Sequence, residues 1–269
     1  MRFAKWIIYI FAAIGFILVA GYVATMFGWT NTAGIVDSQR AAFLAGGAST
    51  ATSTSPAWSS GEEWQTFKAA VLKDKADIDR AASLSGVPSR LIVANLAVEQ
   101  LRLFYSNREL FKQIFAPLKV LGDQSQFSWG VMGLKQETAQ AIENNLKDPA
   151  SVFYPGAQYS RLLDFKTTDI DSERFARIID EKSRFYSYLY AGLYMREIET
   201  QWKKAGYDIS DRPDVLSTLF NIGFQHSQPK AGPQVGGAEI DIGGKTYSFG
   251  GLAAEFYDSN ELIAEFPRI

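Results

Sequence analysis

Cysteine is absent from the 269 residues, so neither disulfides nor thiolate metal sites belong to the chemistry of this chain. Histidine occurs once, at His226, so a histidine metal cage or a Ser-His-Asp triad would have to be built around a single imidazole. The glycine pairs Gly236-Gly237 and Gly250-Gly251 do not follow a strand-to-helix phosphate pattern. They read as turns and exclude a nucleotide loop. No internal repeat marks an array or solenoid, and neither a metal nor a cofactor is called for.

Charge is also missing, from Trp6 to Val36. The almost wholly apolar run Trp6–Phe27 within it predicts one transmembrane helix over 6–28, since about 20 such residues cover the hydrocarbon core. Trp6, Tyr9, Tyr22 and Trp29 stand near its ends, where amphipathic rings favour the headgroup region. Arg2 and Lys5 precede it and no charge lies between Gly28 and Ile35, which keeps residues 1–5 cytoplasmic and sends the remainder across the membrane. The expected protein is a single-pass protein of the cytoplasmic membrane whose C-terminal part is periplasmic or otherwise extracytoplasmic. A cleaved signal peptide is the rival reading, although its apolar region is usually only about 7–15 residues.

All 29 acidic residues follow the apolar run, against 25 of the 27 basic ones, so the exported part carries a formal charge of −4. That balance excludes nucleic acid and anionic lipid as electrostatically drawn partners. Residues 29–60 form a juxtamembrane segment and linker: the stretch from Gly46 to Gly61 is uncharged and rich in Ser, Thr, Ala and Gly, the composition of a flexible tether. The folded domain is expected over 61–269.

Ser60 and Glu63 have the spacing of a capping box, and the residues from there to Gly86 read as helical. Pro88 suits the first turn of a second helix, Ser89 to about Tyr105, which is apolar nearly all round and therefore buried. Further helical patterns run about Lys135–Asn145, Ser172–Ile179, Ser183–Lys204, Asp214–Ile222 and Leu252–Tyr257. One β signal stands out: Ala238–Ile242 and Lys245–Phe249 flank Gly243-Gly244, the pattern of a two-residue hairpin. The class is mainly α with a small β-hairpin.

Glu99 interrupts the apolar run LIVANLAV on the buried helix. Burial favours the neutral form of a carboxyl, and a carboxylic acid kept protonated is what general-acid catalysis uses. The bland alternative is a rim residue that reaches water or pairs with Arg102, three positions on.

Downstream stands Gly130-Val131-Met132-Gly133-Leu134-Lys135-Gln136-Glu137-Thr138-Ala139. It resembles the signature of the soluble lytic transglycosylases and goose-type lysozymes, a Gly-Leu-Met-Gln-Ile stretch followed by Thr-Ala at the head of a helix. Gly130, Met132, Thr138 and Ala139 match, and Val131 and Leu134 are conservative. In that family the signature follows a helix carrying one catalytic Glu, normally Glu-Ser; here the pair is Glu99-Gln100. Leu219-Phe220-Asn221 before Gly223 resembles the family's Ala-Tyr-Asn element. The resemblance covers about Val87–Gly223. Departures are Gly133 in place of Gln, Phe220 in place of Tyr, Gln100 in place of Ser, and a longer gap between Glu99 and Gly130.

The resemblance implies a lysozyme-like domain that cleaves the bond between N-acetylmuramic acid and N-acetylglucosamine in peptidoglycan glycan strands. Glu99 would act first as acid and then as base on the sugar's own 6-hydroxyl. Gly130, Val131, Met132, Gly133, Phe220 and Asn221 would contact substrate, joined by Tyr194 on the counterpart of the family's Tyr-bearing helix. The usual glycosidase pattern needs two carboxylates, and no second one is obvious; Asp123, in the loop before the signature, is a spare candidate. Met132 and Trp129 either line a sugar groove or fill the core, and Asn221 either orients substrate or ends its helix. Two rivals to the enzyme stand: a non-catalytic wall-binding or envelope-assembly module on the same fold, with assembly partners unnamed by the sequence, and an anchored helical partner protein with no sugar site.

Overall fold

The computed structural model describes residues 56–60, 62–105, 129–180, 182–242 and 244–268, without the side chains of 62, 63 and 103–105. The predicted membrane span, most of the linker and Asp123 lie outside these residues. Among the described residues, no helix is long and apolar enough to cross a membrane.

The folded part begins earlier than Gly61. Pro56 leads a short 3-10 turn, Ala57–Ser59, whose Trp58 is fully buried. Its ring meets Trp64 edge-on at 4.7 Å, and its indole N–H donates to Glu255 at 3.2 Å. A segment of linker composition is therefore tied down by one aromatic side chain, which removes more apolar surface from water than the neighbouring serines and threonines could.

Helix α1, Glu62–Lys73, and α2, Lys75–Ser85, replace the continuous helix expected there. The break is at Asp74, whose carboxylate accepts from Tyr188 at 2.5 Å and from Arg184 at 3.0 Å. Backbone bonds from Asp74 to Ala70 and from Ile78 to Asp74 survive, so the chain bends without unravelling. Gly86 then closes α2 in the left-handed conformation.

Helix α3, Ser89–Tyr105, is the axis of the fold. Leu91, Ile92, Val93, Leu96, Val98 and Leu101 are all buried, as an all-round apolar helix requires. Around it come α4 (Gln136–Lys147), α5 (Ile170–Ile179), α6 (Phe185–Lys204) and α7 (Pro213–Ile222). Strands β1 (Glu239–Ile242) and β2 (Lys245–Ser248) form the expected antiparallel hairpin, and α8 (Phe249–Asp258) follows directly. Ser248 caps α8 by accepting from the N–H of Gly251. Helix α3 packs against α1, α2, α6, α7, α8 and β1, while α6 gathers α2, α4 and α5. The described protein is mainly helical with one two-stranded sheet.

Arg90, at the start of α3, is fully buried and donates five hydrogen bonds, all to backbone carbonyls: Phe256, Tyr257, Ser259, Glu261 and Phe266, at 2.7–3.1 Å. The first of these carbonyls terminate α8, where the helix dipole is negative, so the cation is met by oriented carbonyls, with the Asp258 carboxylate nearby adding to the attraction.

Candidate functional site

Glu99 lies late on α3 and only 4% of its surface is exposed. Arg102, one turn on, grips it with both arms of the guanidinium: Nε donates to Oε2 at 2.8 Å and Nη2 to Oε1 at 2.7 Å. The pairing with Arg102 offered as the bland alternative is present, with the Glu99 carboxylate buried and Arg102 partly exposed. A two-armed guanidinium contact is the strongest and most directional form of ion pair available to a side chain.

The signature segment forms a tight turn over this carboxylate. Trp129 and Leu134 exchange backbone bonds as an isolated bridge, and Gly130 and Gly133 each adopt φ of +62° between them. A Cβ on Gly133 would fall far inside contact distance of Glu99 Oε1, and one on Gly130 would strike the carbonyl of Ile178. Both positions therefore need glycine for conformation and for space. From α3, Gln100 donates its side-chain N–H to the carbonyl of Val131 at 2.7 Å, fastening the turn to the helix. Two features about 30 positions apart in sequence meet around one carboxylate.

The remaining predicted residues are distributed differently. Met132, expected at a sugar groove, is fully buried in the core, and Trp129 is buried edge-on against Phe175 at 5.0 Å. Val131 is half-buried. Tyr194 is buried between Phe220, at 5.2 Å between ring centres, and Phe224, at 4.4 Å. Burial, followed by the nearby Glu197 carboxyl, pushes its hydroxyl well above the ordinary tyrosine range. Phe220 continues this aromatic row to Phe249, stacked at 6.4 Å between ring centres. Asn221 accepts the N–H of Ala238 at 2.8 Å and ties down the loop leading to β1. His226 is exposed on a 3-10 turn. Among the described residues no group of side chains is arranged to hold a metal ion.

Reading by sequence missed three further buried acids, Glu143, Glu197 and Glu199, of which Glu197 is the deepest. Glu197 on α6 has no exposed surface; one oxygen accepts from Asn145 at 2.9 Å and the other has no hydrogen-bond partner. Desolvation holds its carboxyl well above the usual carboxylate range, opposed by the Asn145 bond. A signal existed, because Tyr190, Tyr194 and Glu197 recur at helical spacing on one face. That face meets α4, where Tyr190 donates to Glu143 at 2.6 Å and Arg174 grips the same carboxylate at 2.6 and 2.7 Å.

Comparison of the chain with protein-family models, with curated proteins and with solved structures finds no match.

Proposed function

We propose that the chain is a membrane-anchored peptidoglycan lytic transglycosylase with a lysozyme-like domain, in which Glu99 is the single acid/base. One observation carries the reading: the carboxylate of an otherwise apolar helix lies directly beneath the Gly130–Gly133 turn. The two sequence features that carry the resemblance thus converge on one group.

In the proposed reaction Glu99 gives its proton to the glycosidic oxygen as the bond to C1 breaks. The resulting carboxylate then takes the proton of the sugar's 6-hydroxyl as that oxygen bonds to C1, closing the anhydro ring and restoring the acid. No second carboxylate, metal or cofactor is required, because the substrate supplies the nucleophile. For the first step one arm of the Arg102 grip must yield an oxygen of Glu99. Anchoring by the predicted 6–28 helix would hold the enzyme beside a wall polymer and raise its local concentration there.

A second reading has one observation in its favour. Arg102 occupies both oxygens of Glu99, as a purely structural ion pair would; the domain would then be a non-catalytic wall-binding or envelope-assembly module. Incubating the full-length chain and Glu99→Gln with purified peptidoglycan, with products read by mass spectrometry, separates the two. Anhydromuramic ends from the wild type alone support the enzyme, and reducing ends mean a hydrolase. Wall binding without release from either protein selects the second reading.

A further inference from the structure

We propose that Arg102 is the positioning residue of this site, and that Gly133 is the feature that lets it work. This rests on Glu99 being the acid/base. A carboxylate on a free glutamate arm samples several rotamers, and each must be excluded if the acid is to meet a leaving oxygen in one orientation. Here the exclusion comes from two sides. In the resting site the guanidinium fixes the plane of the carboxylate by holding both oxygens at 2.7–2.8 Å, and when one arm releases its oxygen to carry the proton the arm that stays bonded keeps the group aimed. The bare backbone of Gly133 fills the space against Oε1 so closely that no side chain fits between.

The turn cannot drift from this position, because Gln100 holds Val131 and the Gly130 backbone is packed against Ile178 and Ser187. Three residues of one helical turn, Glu99, Gln100 and Arg102, therefore form a clamp: one contributes the reacting group, one fixes the turn, and one aims the group. Arg102 is itself half-buried and both of the bonds described for it go to Glu99. Its role is to act through Glu99 and not on the sugar.

The test combines kinetics with a spectroscopic signature on the full-length chain. Arg102→Gln should lower kcat about 10–100-fold while KM stays within about two-fold, the pattern of a misaimed group as opposed to a lost substrate contact. Arg102→Lys, which keeps one charged donor but not the two-armed grip, should fall between. Gly133→Ala should lower kcat to a similar extent by displacing the carboxylate. Independently of turnover, the Arg102 Nε–H resonance should be resolved and slow to exchange in the wild type and lost in Glu99→Gln. A rise in KM with kcat unchanged would make Arg102 a substrate contact and overturn the proposal, as would an active wild type indifferent to Arg102→Gln. An Nε–H signal unmoved by Glu99→Gln would overturn the clamp itself. A wild type that releases nothing from the wall overturns the catalytic reading and Arg102's part in turnover with it, while the resonance still decides whether the clamp exists.

Discussion

Replacing Arg90 by Met tests what joins the start of α3 to the C-terminal segment. Methionine fills most of the same volume, so the perturbation is the loss of five donors and a charge. Three of the five carbonyls keep another partner: Phe256 is also reached by Ser259, and Tyr257 and Ser259 by Arg268. The carbonyls of Glu261 and Phe266 depend on Arg90. A buried acceptor left without a donor costs about 1–3 kcal/mol, and two of them with the lost attraction to the α8 terminus make about 3–5 kcal/mol. That is at least about a fifth of the 5–15 kcal/mol typical of a whole domain. Burial and the nearby Arg268 both pull the Arg90 guanidinium below its ordinary value, so the site holds a cation against a real desolvation cost. The assay is urea unfolding followed by tryptophan fluorescence; Trp58 and Trp64 lie 6.0 and 5.8 Å from Phe256 and report the region directly. Arg90→Lys should lose about 1–3 kcal/mol, because an ammonium presents fewer donors without the planar fork. Arg268→Ala should cost little in the wild type and more in Arg90→Met, where Tyr257 and Ser259 lose their last described side-chain donor. A loss below about 1 kcal/mol in Arg90→Met, or strict additivity with Arg268→Ala, would refute the reasoning.

Two further outcomes follow from burial. Glu199 on α6 is pushed up to about 7, chiefly by burial and against the attraction of Arg196, from an ordinary value of 4.5. Between those values the folded protein keeps a proton that the unfolded chain has released, so stability falls as pH rises from about 4.5 to about 7 and levels off above. At about 1.4 kcal/mol per pH unit the term reaches about 3 kcal/mol. Glu199→Gln should therefore gain relative to wild type by about that amount between pH 4 and pH 8 in urea midpoints, and equal gains at both would count against it. Trp58→Ala should cost about 3–5 kcal/mol, and a chain begun at Gly61 should show the same loss in thermal unfolding; an unchanged Tm in both would put Trp58 outside the core.

Legibility in the sequence followed the range of the interaction. Helix α3, the hairpin and the later helices are set by short-period patterns, so their residues announce them within a few positions. The break at Asp74 is silent locally, since its neighbours favour helix; the partners that bend it, Arg184 and Tyr188, are about 110 positions away. Trp58 is hidden by the Ser/Thr-rich composition around it, because composition averages over the one residue that packs. Arg90 looks like a surface charge at a helix start, and only the folded chain brings the α8 terminus over it. Glu197 was accessible through its spacing from Tyr190 and Tyr194, but a carboxylate on an aromatic helix draws less notice than Glu99 on an apolar one.

The departures from the resembled pattern become intelligible together, and not one at a time. A serine after the Glu has a hydroxyl too short to span from the helix to the turn, whereas Gln100 reaches the Val131 carbonyl at 2.7 Å. A glutamine in place of Gly133 would bring a side chain into the space held by the Glu99 carboxylate, on a backbone whose φ of +62° already favours glycine. Arg102 holds both oxygens of that carboxylate from the same helical turn. Gln100 and Gly133 are the two departures that meet here, one on the helical turn and one on the loop it faces, with Arg102 beside them on the same turn. Phe220 is the separate case, for its ring neighbours are Tyr194 and Phe249, and the hydroxyl it lacks has no counterpart in the clamp. The Gln100, Arg102 and Gly133 set therefore behaves as one unit. In thermal unfolding, Gly133→Gln should lower Tm less when combined with Arg102→Ala than when made alone, because only without the guanidinium is the carboxylate free to move aside. Additive losses in the double variant would separate Arg102 from the turn.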